Sequence, residues 1–176
     1  MILDGVFHTD NQGALSEAVF NYYNTKRIDR NLAQSDADGF VHHHFGITGT
    51  QIAKTSDQEA ITKELQRQES AQSDLLIDLL RIGATEPAIV YDVGCGRGGT
   101  MFKLLERYPF AKAVGINLTE YQTAFCKVEI EARTLTSRAQ VIQGDFMQPP
   151  FEAGVFSHAY VNEVTQYAHN LNDFFT

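Results

Sequence analysis

The chain has no tryptophan, only two cysteines and only four prolines in 176 residues. Cys95 and Cys126 do not make the paired spacing of a zinc site or a disulfide framework, and they read as inert thiols in a reducing compartment. Basic residues are also scarce: 14 Lys and Arg stand against 22 Asp and Glu, for a net charge of −8. With no basic stripe to neutralise phosphates, a nucleic-acid partner is not expected. The acidity has an ordinary reading in solubility. No apolar run approaches the roughly 20 residues of a membrane-spanning helix, so no membrane partner is expected either. The opening Met1-Ile-Leu-Asp-Gly5 lacks the basic and apolar regions of a signal peptide, and a cytoplasmic protein is expected. What the chain does have is apolar bulk. It is 43% hydrophobic, with 12 Phe and 7 Tyr, enough for one aromatic-rich core.

Hydrophobic spacing predicts a helix over 13–24, with Leu15, Val19, Phe20 and Tyr23 on one face. Residues 29–51 are polar and irregular. Ser56 and Glu59 have capping-box spacing and open a long predicted helix. That helix carries Ile61, Leu65, Leu75, Leu76, Leu79 and Leu80 and should stop at Gly83. From Ala88 onward strands (88–92, 111–117, 139–143, 155–161) alternate with helices (about 99–108 and 119–135). This rhythm predicts an α/β fold, a Rossmann-like parallel sheet with helices on both faces and ligands beyond the strands' carboxyl ends. Residues 1–82 are read as a helical cap carrying a substrate-binding segment, and 83–176 as the cofactor-binding core.

The most informative stretch is 88–99, Ala-Ile-Val-Tyr-Asp-Val-Gly-Cys-Gly-Arg-Gly-Gly. An apolar strand ends at Asp92, glycines follow at 94, 96, 98 and 99, and an amphipathic segment runs from Thr100 to Arg107. Strand, glycine turn and helix N-terminus form a cradle for a nucleotide-type ligand, because glycine lets backbone approach a ligand without a Cβ clash. The glycine spacing alone also fits the G-x-G-x-x-G of dinucleotide-binding domains. Asp92, two residues before the first glycine, separates the two readings. Asp-x-Gly-x-Gly-x-Gly resembles the first motif of class I S-adenosylmethionine-dependent methyltransferases. The resemblance implies that cofactor, whose ammonium group needs an acceptor near the loop. Asp92, Gly94, Cys95 and Gly96 are its expected contacts.

The second strand leads into Asn117-Leu118-Thr119-Glu120-Tyr121-Gln122, where a dinucleotide site wants an acid for the ribose hydroxyls. Asn-Leu-Thr-x-x-Gln instead resembles the subfamily of cyclopropane fatty acid synthases, sterol methyltransferases and geranyl diphosphate C-methyltransferase. It implies cofactor contacts from Asn117, Leu118 and Gln122, with Gln122 at the ribose. Thr119 and Gln122 also have capping-box spacing, and the two readings are compatible. Asp145, after the third strand, is expected to accept from the adenine amino group with Phe146 beside it; the alternative is a turn-capping Asp. After the fourth strand, Asn162-Glu163-Val-Thr165-Gln-Tyr167 resembles the Asn-Glu-x-Thr-x-Tyr stretch of geranyl diphosphate C-methyltransferase. That implies a catalytic Glu163 with Asn162 at its side. The alternative for Glu163 is an acid favoured by a helix dipole.

Upstream, Asn21-Tyr22-Tyr23-Asn24 resembles the start of sterol methyltransferases, which puts Tyr22 and Tyr23 among the catalytic residues. Asn31-Leu32, Asp38 to Ile47 with its His42-His43-His44 run, and Glu64 to Gln72 resemble the diphosphate enzyme. The likeness covers most of 20–175. Three consecutive histidines rarely converge on one ion, so no metal site is read there. His43, His44 and Phe45 are taken as pocket wall, with His44 next to the cofactor. Ala33-Gln34-Ser35 stands where the diphosphate enzyme has Arg-Leu-Gly, which removes a basic residue that would balance a diphosphate. Lys26, Arg27 and Arg30 are left as anion contacts or as a solvated helix end. Mg²⁺ is implied only for a diphosphate substrate.

The implied activity is C-methylation of an alkene in a prenyl or terpenoid chain, through a carbocation. The acceptor is a small molecule: a prenylated natural product such as a teleocidin-type indole alkaloid, or a prenyl diphosphate. Tyr22, Tyr23, Phe45 and Tyr160 would face the cation, Glu163 would stabilise it or take its proton, and the N-terminal helix would close over it. The rivals are an O- or N-methyltransferase of a small-molecule natural product and an inactive cofactor-binding module. The resemblance also implies a seven-stranded sheet, of which only the first four strands are found. A longer chain, or a partner such as a second copy, is expected to cover the edge.

Overall fold

The computed structural model describes residues 14–25, 38–47, 56–168 and 170–174. The segments holding Lys26, Arg27, Arg30, Asn31-Leu32 and Ala33-Gln34-Ser35 lie outside the described residues, as does the side chain of Leu15. The elements are α1 (Ala14–Thr25), α2 (Gln58–Leu79), β1 (Ala88–Val93), α3 (Gly99–Arg107), β2 (Ala111–Asn117), α4 (Glu120–Ala132), β3 (Ala139–Gln143), β4 (His158–Val161), a 3₁₀ turn at Thr165–Tyr167 and α5 (Leu171–Phe174).

The four strands pair in the order β3-β2-β1-β4, all parallel. Ala88 pairs with Ala111, Val90 with His158 and Ala113 with Ala139. Parallel strands covered on both faces are apolar nearly throughout, and Ala-Ile-Val-Tyr-Asp-Val of β1 fits that pattern. The order reverses at β1, because β2 lies on one side of it and β4 on the other. At such a switch point the loops leave in opposite directions and a crevice opens at the carboxyl ends of the strands.

The core lies between the sheet and its helices. Met101, Phe102, Leu104 and Leu105 form the buried face of α3, Cys126 and Ile130 that of α4, and Val90, Ala113 and Val141 come from the strands. Each fully buried Leu or Phe stabilises by about 1.5–3 kcal/mol.

The structure corrects the reading of α2 in three places. Asp57 caps it, not Ser56: the Asp57 carboxylate accepts from the amides of Glu59 at 3.0 Å and Ala60 at 3.3 Å. A negative group is favoured there by the helix dipole. The helix ends at Leu79, and the left-handed residue beyond it is Arg81 (φ +53°), so Gly83 plays no capping part. The buried face is largely polar, formed by Gln66, Glu69, Ser73 and Ile77, while Leu75 and Leu79 are exposed. This face packs on residues 38–47, which bring polar groups of their own. The fourth strand is also shorter than predicted, starting at His158.

Candidate active site

The carboxyl ends of all four strands deliver their loops to one cavity. Asp92, Gly94, Cys95 and Gly96 follow β1, with Gly99 and Thr100 opening α3. Asn117, Leu118, Thr119 and Gln122 follow β2; Asp145 and Phe146 follow β3; Asn162, Glu163, Val164 and Tyr167 follow β4. Val19 and Tyr23 of α1 and the strip Val41 to His44 complete the wall. Most of the sequence-predicted site residues are therefore brought together; Tyr22, Phe45 and Tyr160 are not among the lining residues.

Two glycines show why the loop needs them. Gly94 has φ +72°, and a Cβ there would meet a Val164 methyl at 2.6 Å. At Gly99 a Cβ would meet the Val41 carbonyl oxygen at 2.5 Å, so the strip above rests directly on the start of α3. Arg97 is buried between the rings of Tyr121 and Phe125, with its guanidinium carbon 5.2 and 4.9 Å from their centres.

Asp92 is buried at the tip of β1. Burial raises its pKa to about 7, and the neighbouring Tyr160 hydroxyl only partly offsets this. No ion pair to Asp92 is found among the described residues. A buried acid without a cation, beside a glycine loop, is an electrostatic vacancy for a positive ligand group. The Cys95 thiol is held well above its ordinary range, first by hydrogen bonding with Cys126 and then by burial. Both cysteines are free of disulfides, and the raised pKa of Cys95 makes it a poor nucleophile.

Asn117 Nδ2 donates to Gln122 Oε1 at 2.9 Å, and both side chains are buried. Gln122 Nε2 is left without a partner among the described residues. The capping-box reading of Thr119 and Gln122 fails: Thr119 is the N-cap residue, yet its hydroxyl makes no capping bond. Gln122 turns instead toward Asn117, and the residue lines the cavity. Asp145 Oδ1 accepts from the Met147 amide at 2.8 Å, as a turn-capping Asp does, and the residue also lines the cavity.

Glu163 adopts φ +54°, a left-handed conformation costing on the order of 1–2 kcal/mol for a non-glycine residue. Its carboxylate accepts from the Phe45 amide at 3.2 Å and from Gln72 Nε2 at 3.1 Å. The same Gln72 nitrogen donates to Asn162 Oδ1 at 2.6 Å. These bonds join the loop after β4 to α2 and the 38–47 strip, and they replace the helix-dipole role that was the alternative for Glu163. Tyr23 and Tyr167 share a hydroxyl–hydroxyl hydrogen bond, and their rings meet edge-on at 5.9 Å.

The expected aromatic cluster is corrected. Tyr22 is 58% exposed, because consecutive helical residues point about 100° apart and Tyr23 takes the inner face. The Phe45 ring is 88% exposed, although its amide holds Glu163. Tyr160 is buried in the core beside Asp92 and does not line the cavity. Tyr23 remains, joined by Tyr167. Sequence reasoning also missed Gln72, Ser73, Thr100 and Glu69. The last is buried, and desolvation followed by the charges of Asp38 and Glu163 raises its pKa to about 7. The one visible signal of Glu69, Gln72 and Ser73 was polar residues at helical spacing on a helix expected to bury leucines.

Among the described residues no three His, Cys, Asp or Glu side chains gather as metal ligands, and no helix is long and apolar enough to cross a membrane.

Residues 90–176 match the family described as a methyltransferase domain. The chain is 30% identical over 166 residues to geranyl diphosphate 2-C-methyltransferase of Streptomyces coelicolor, covering 91% of this chain and 56% of that one. It is 35% identical over 91 residues to a sterol 24-C-methyltransferase of Schizosaccharomyces pombe, covering 52% of this chain and 24% of that one. A solved geranyl diphosphate methyltransferase in complex with GPP and sinefungin superposes with a TM-score of 0.81 at 30% identity, over 92% of this chain and 60% of that one. The S. coelicolor enzyme with Mg²⁺, geranyl diphosphate and S-adenosyl-L-homocysteine superposes at 0.79 and 27%, over 93% and 59%. The fold is thus the Rossmann-like fold of class I methyltransferases, and residues 90–176 are the part of the chain that matches the methyltransferase-domain family. The chain spans a little over half the length of the geranyl diphosphate enzymes it matches, so the four strands are part of the full sheet.

Proposed function

We propose that this chain carries the cofactor site and part of the substrate site of an S-adenosylmethionine-dependent C-methyltransferase acting on an alkene of a prenyl or terpenoid chain. The observation that supports it best is the meeting of two groups in one cavity: the buried Asp92 at the glycine loop, with no ion-pair partner among the described residues, and the clamped Glu163, in a wall shared with the Tyr23–Tyr167 pair. In this reading Asp92 takes the ligand's ammonium group, Gln122 Nε2 and Asn117 Oδ1 take the ribose hydroxyls, and Asp145 with Phe146 takes the adenine. When bound, S-adenosylmethionine supplies an electrophilic methyl group. Attack by the alkene needs no prior deprotonation and leaves a tertiary carbocation on the substrate. The faces of Tyr23 and Tyr167 stabilise that cation, each by up to about 2 kcal/mol when desolvated. Glu163, held by Gln72 and the Phe45 amide, stabilises it electrostatically and accepts the proton whose loss restores an alkene.

Residues 1–82 act in this proposal as a cap over the core of 83–176. The acceptor is a prenyl diphosphate, as the relatives' names state for them, or a prenylated natural product; Mg²⁺ belongs only to the first. The described residues show no cluster to hold it, so no step is derived through a metal. The test is mass spectrometry of products from a panel of prenyl diphosphates and prenylated alkaloids with S-adenosylmethionine. A methyl group on carbon is expected. A methyl group on oxygen or nitrogen would make it a heteroatom methyltransferase, and cofactor binding without any product would make this chain an inactive module.

A further inference from the structure

Between Gly94 and Gly99 only Cys95 and Arg97 carry side chains. Glycine loses more conformational freedom on folding than any other residue, so this loop keeps its shape through whatever holds those two residues. Cys95 is seated on β2. Its amide donates to the Ile116 carbonyl at 3.0 Å, and Gly115 leaves the space its sulfur fills, since a Cβ there would meet Cys95 Sγ at 2.7 Å. Arg97 is seated on α4. It is buried, and its guanidinium carbon lies 5.2 Å from the ring centre of Tyr121 and 4.9 Å from that of Phe125. Those rings stand one turn apart on one face of the helix. The Cys126 thiol of the same helix donates to the Gly96 carbonyl at 3.4 Å.

The helix that holds Arg97 also carries part of the cavity wall. Gln122 follows Tyr121 in α4, is buried, is bonded to Asn117 at 2.9 Å and lines the cavity with it. Cys126 and Ile130 fix the helix in the core. Arg97 thus joins a loop with little hold of its own to a helix that is firmly held. The two surfaces it connects are the loop after Asp92 and the Asn117–Gln122 pair. A planar guanidinium suits this place, because it stacks on aromatic faces and is more weakly hydrated than an ammonium group. Arg97 is not among the residues that line the cavity, so its effect on a ligand passes through the loop.

We propose that Arg97 is a positioning residue: stacked on Tyr121 and Phe125, it sets the glycine loop at the distance from the Asn117–Gln122 pair that a ligand spanning both requires. This rests on the S-adenosylmethionine reading of the cavity, in which the amino-acid end of the cofactor lies at the loop and its ribose at the pair. The ribose contacts hold without Arg97, since Asn117 and Gln122 bond each other and come from elements packed in the core. Loss of the stacking lets the loop shift, which is felt only by a ligand with an amino-acid end.

Calorimetry with two ligands tests this: S-adenosylhomocysteine, which has an amino-acid end, and adenosine, which has only the ribose and the base. Arg97→Met keeps an apolar stem and removes the planar cation. It should bind S-adenosylhomocysteine about tenfold more weakly than the wild type does, and adenosine equally well. Phe125→Leu, at a half-buried position, should show the same split at about threefold. Both substitutions break one contact, so the double variant should lose no more than Arg97→Met alone. Unchanged affinity for S-adenosylhomocysteine, an equal loss for both ligands, or additive losses in the double variant overturns the proposal and leaves the cofactor reading intact. Should Arg97→Met not accumulate as folded protein, the split in Phe125→Leu decides alone. A wild-type chain that binds neither ligand refutes the cofactor reading, and the proposal with it.

Discussion

The two sides of this cavity are built from opposite materials. Below it, α3, α4 and the strands bury a continuous apolar core, with Leu104, Met101, Val90 and Cys126 sealed from solvent. Above it, α2 and residues 38–47 bury Gln66, Glu69, Ser73, His42 and His44 in a hydrogen-bonded network. Apolar burial is nondirectional and supplies stability. A buried polar network adds little net free energy, but it demands particular partners at particular distances. The lower side therefore holds the molecule together, and the upper side holds the polar groups around the cavity in place.

Substitutions on the two sides should separate these roles. Leu104→Ala, in the core, is expected to cost about 2–5 kcal/mol of stability, read as a lowered urea midpoint, with cofactor affinity in the remaining folded protein unchanged. Glu163→Gln should lower turnover of a prenylated substrate by roughly a hundredfold or more, with the urea midpoint within about 1 kcal/mol of wild type. Turnover equal to wild type would remove Glu163 from the chemistry. Gln72→Leu, which frees Glu163 and Asn162 from α2, should lower kcat by about tenfold with KM for the cofactor unchanged. A melt that moved as far as that of Leu104→Ala would show that the upper side carries stability as well, and the contrast would fail.

The contrast also explains what could be read from the sequence. Periodicity located the strands and helices from Ala88 onward, because apolar burial leaves a repeating trace. Asp92, Gly94, Gly96, Asn117, Gln122, Asp145 and Glu163 were legible as motifs at strand ends, where parallel topology brings loops together. The α2 face was misread because its leucines suggested a buried apolar stripe, whereas the helix buries Gln66, Glu69 and Ser73. Polar burial has no sequence periodicity of its own; it depends on partners such as Asp38 and His42, 20 to 40 residues away in the chain. The same holds for Tyr160, a strand residue expected to face the cation that lies in the core instead, whereas Tyr167 of the following turn lines the cavity.

The central claim is that Asp92 awaits a cation. Its pKa, raised by burial to about 7, means that a positive ligand group must displace a proton near neutral pH. Calorimetry of S-adenosylmethionine binding between pH 5.5 and 8, in buffers of differing ionisation enthalpy, tests this directly. Affinity should rise as pH rises through 7, binding near pH 7 should release a fraction of a proton, and Asp92→Asn should lose both the affinity and the release. Affinity independent of pH, no proton released, and an Asp92→Asn variant that binds as well as the wild type would contradict it.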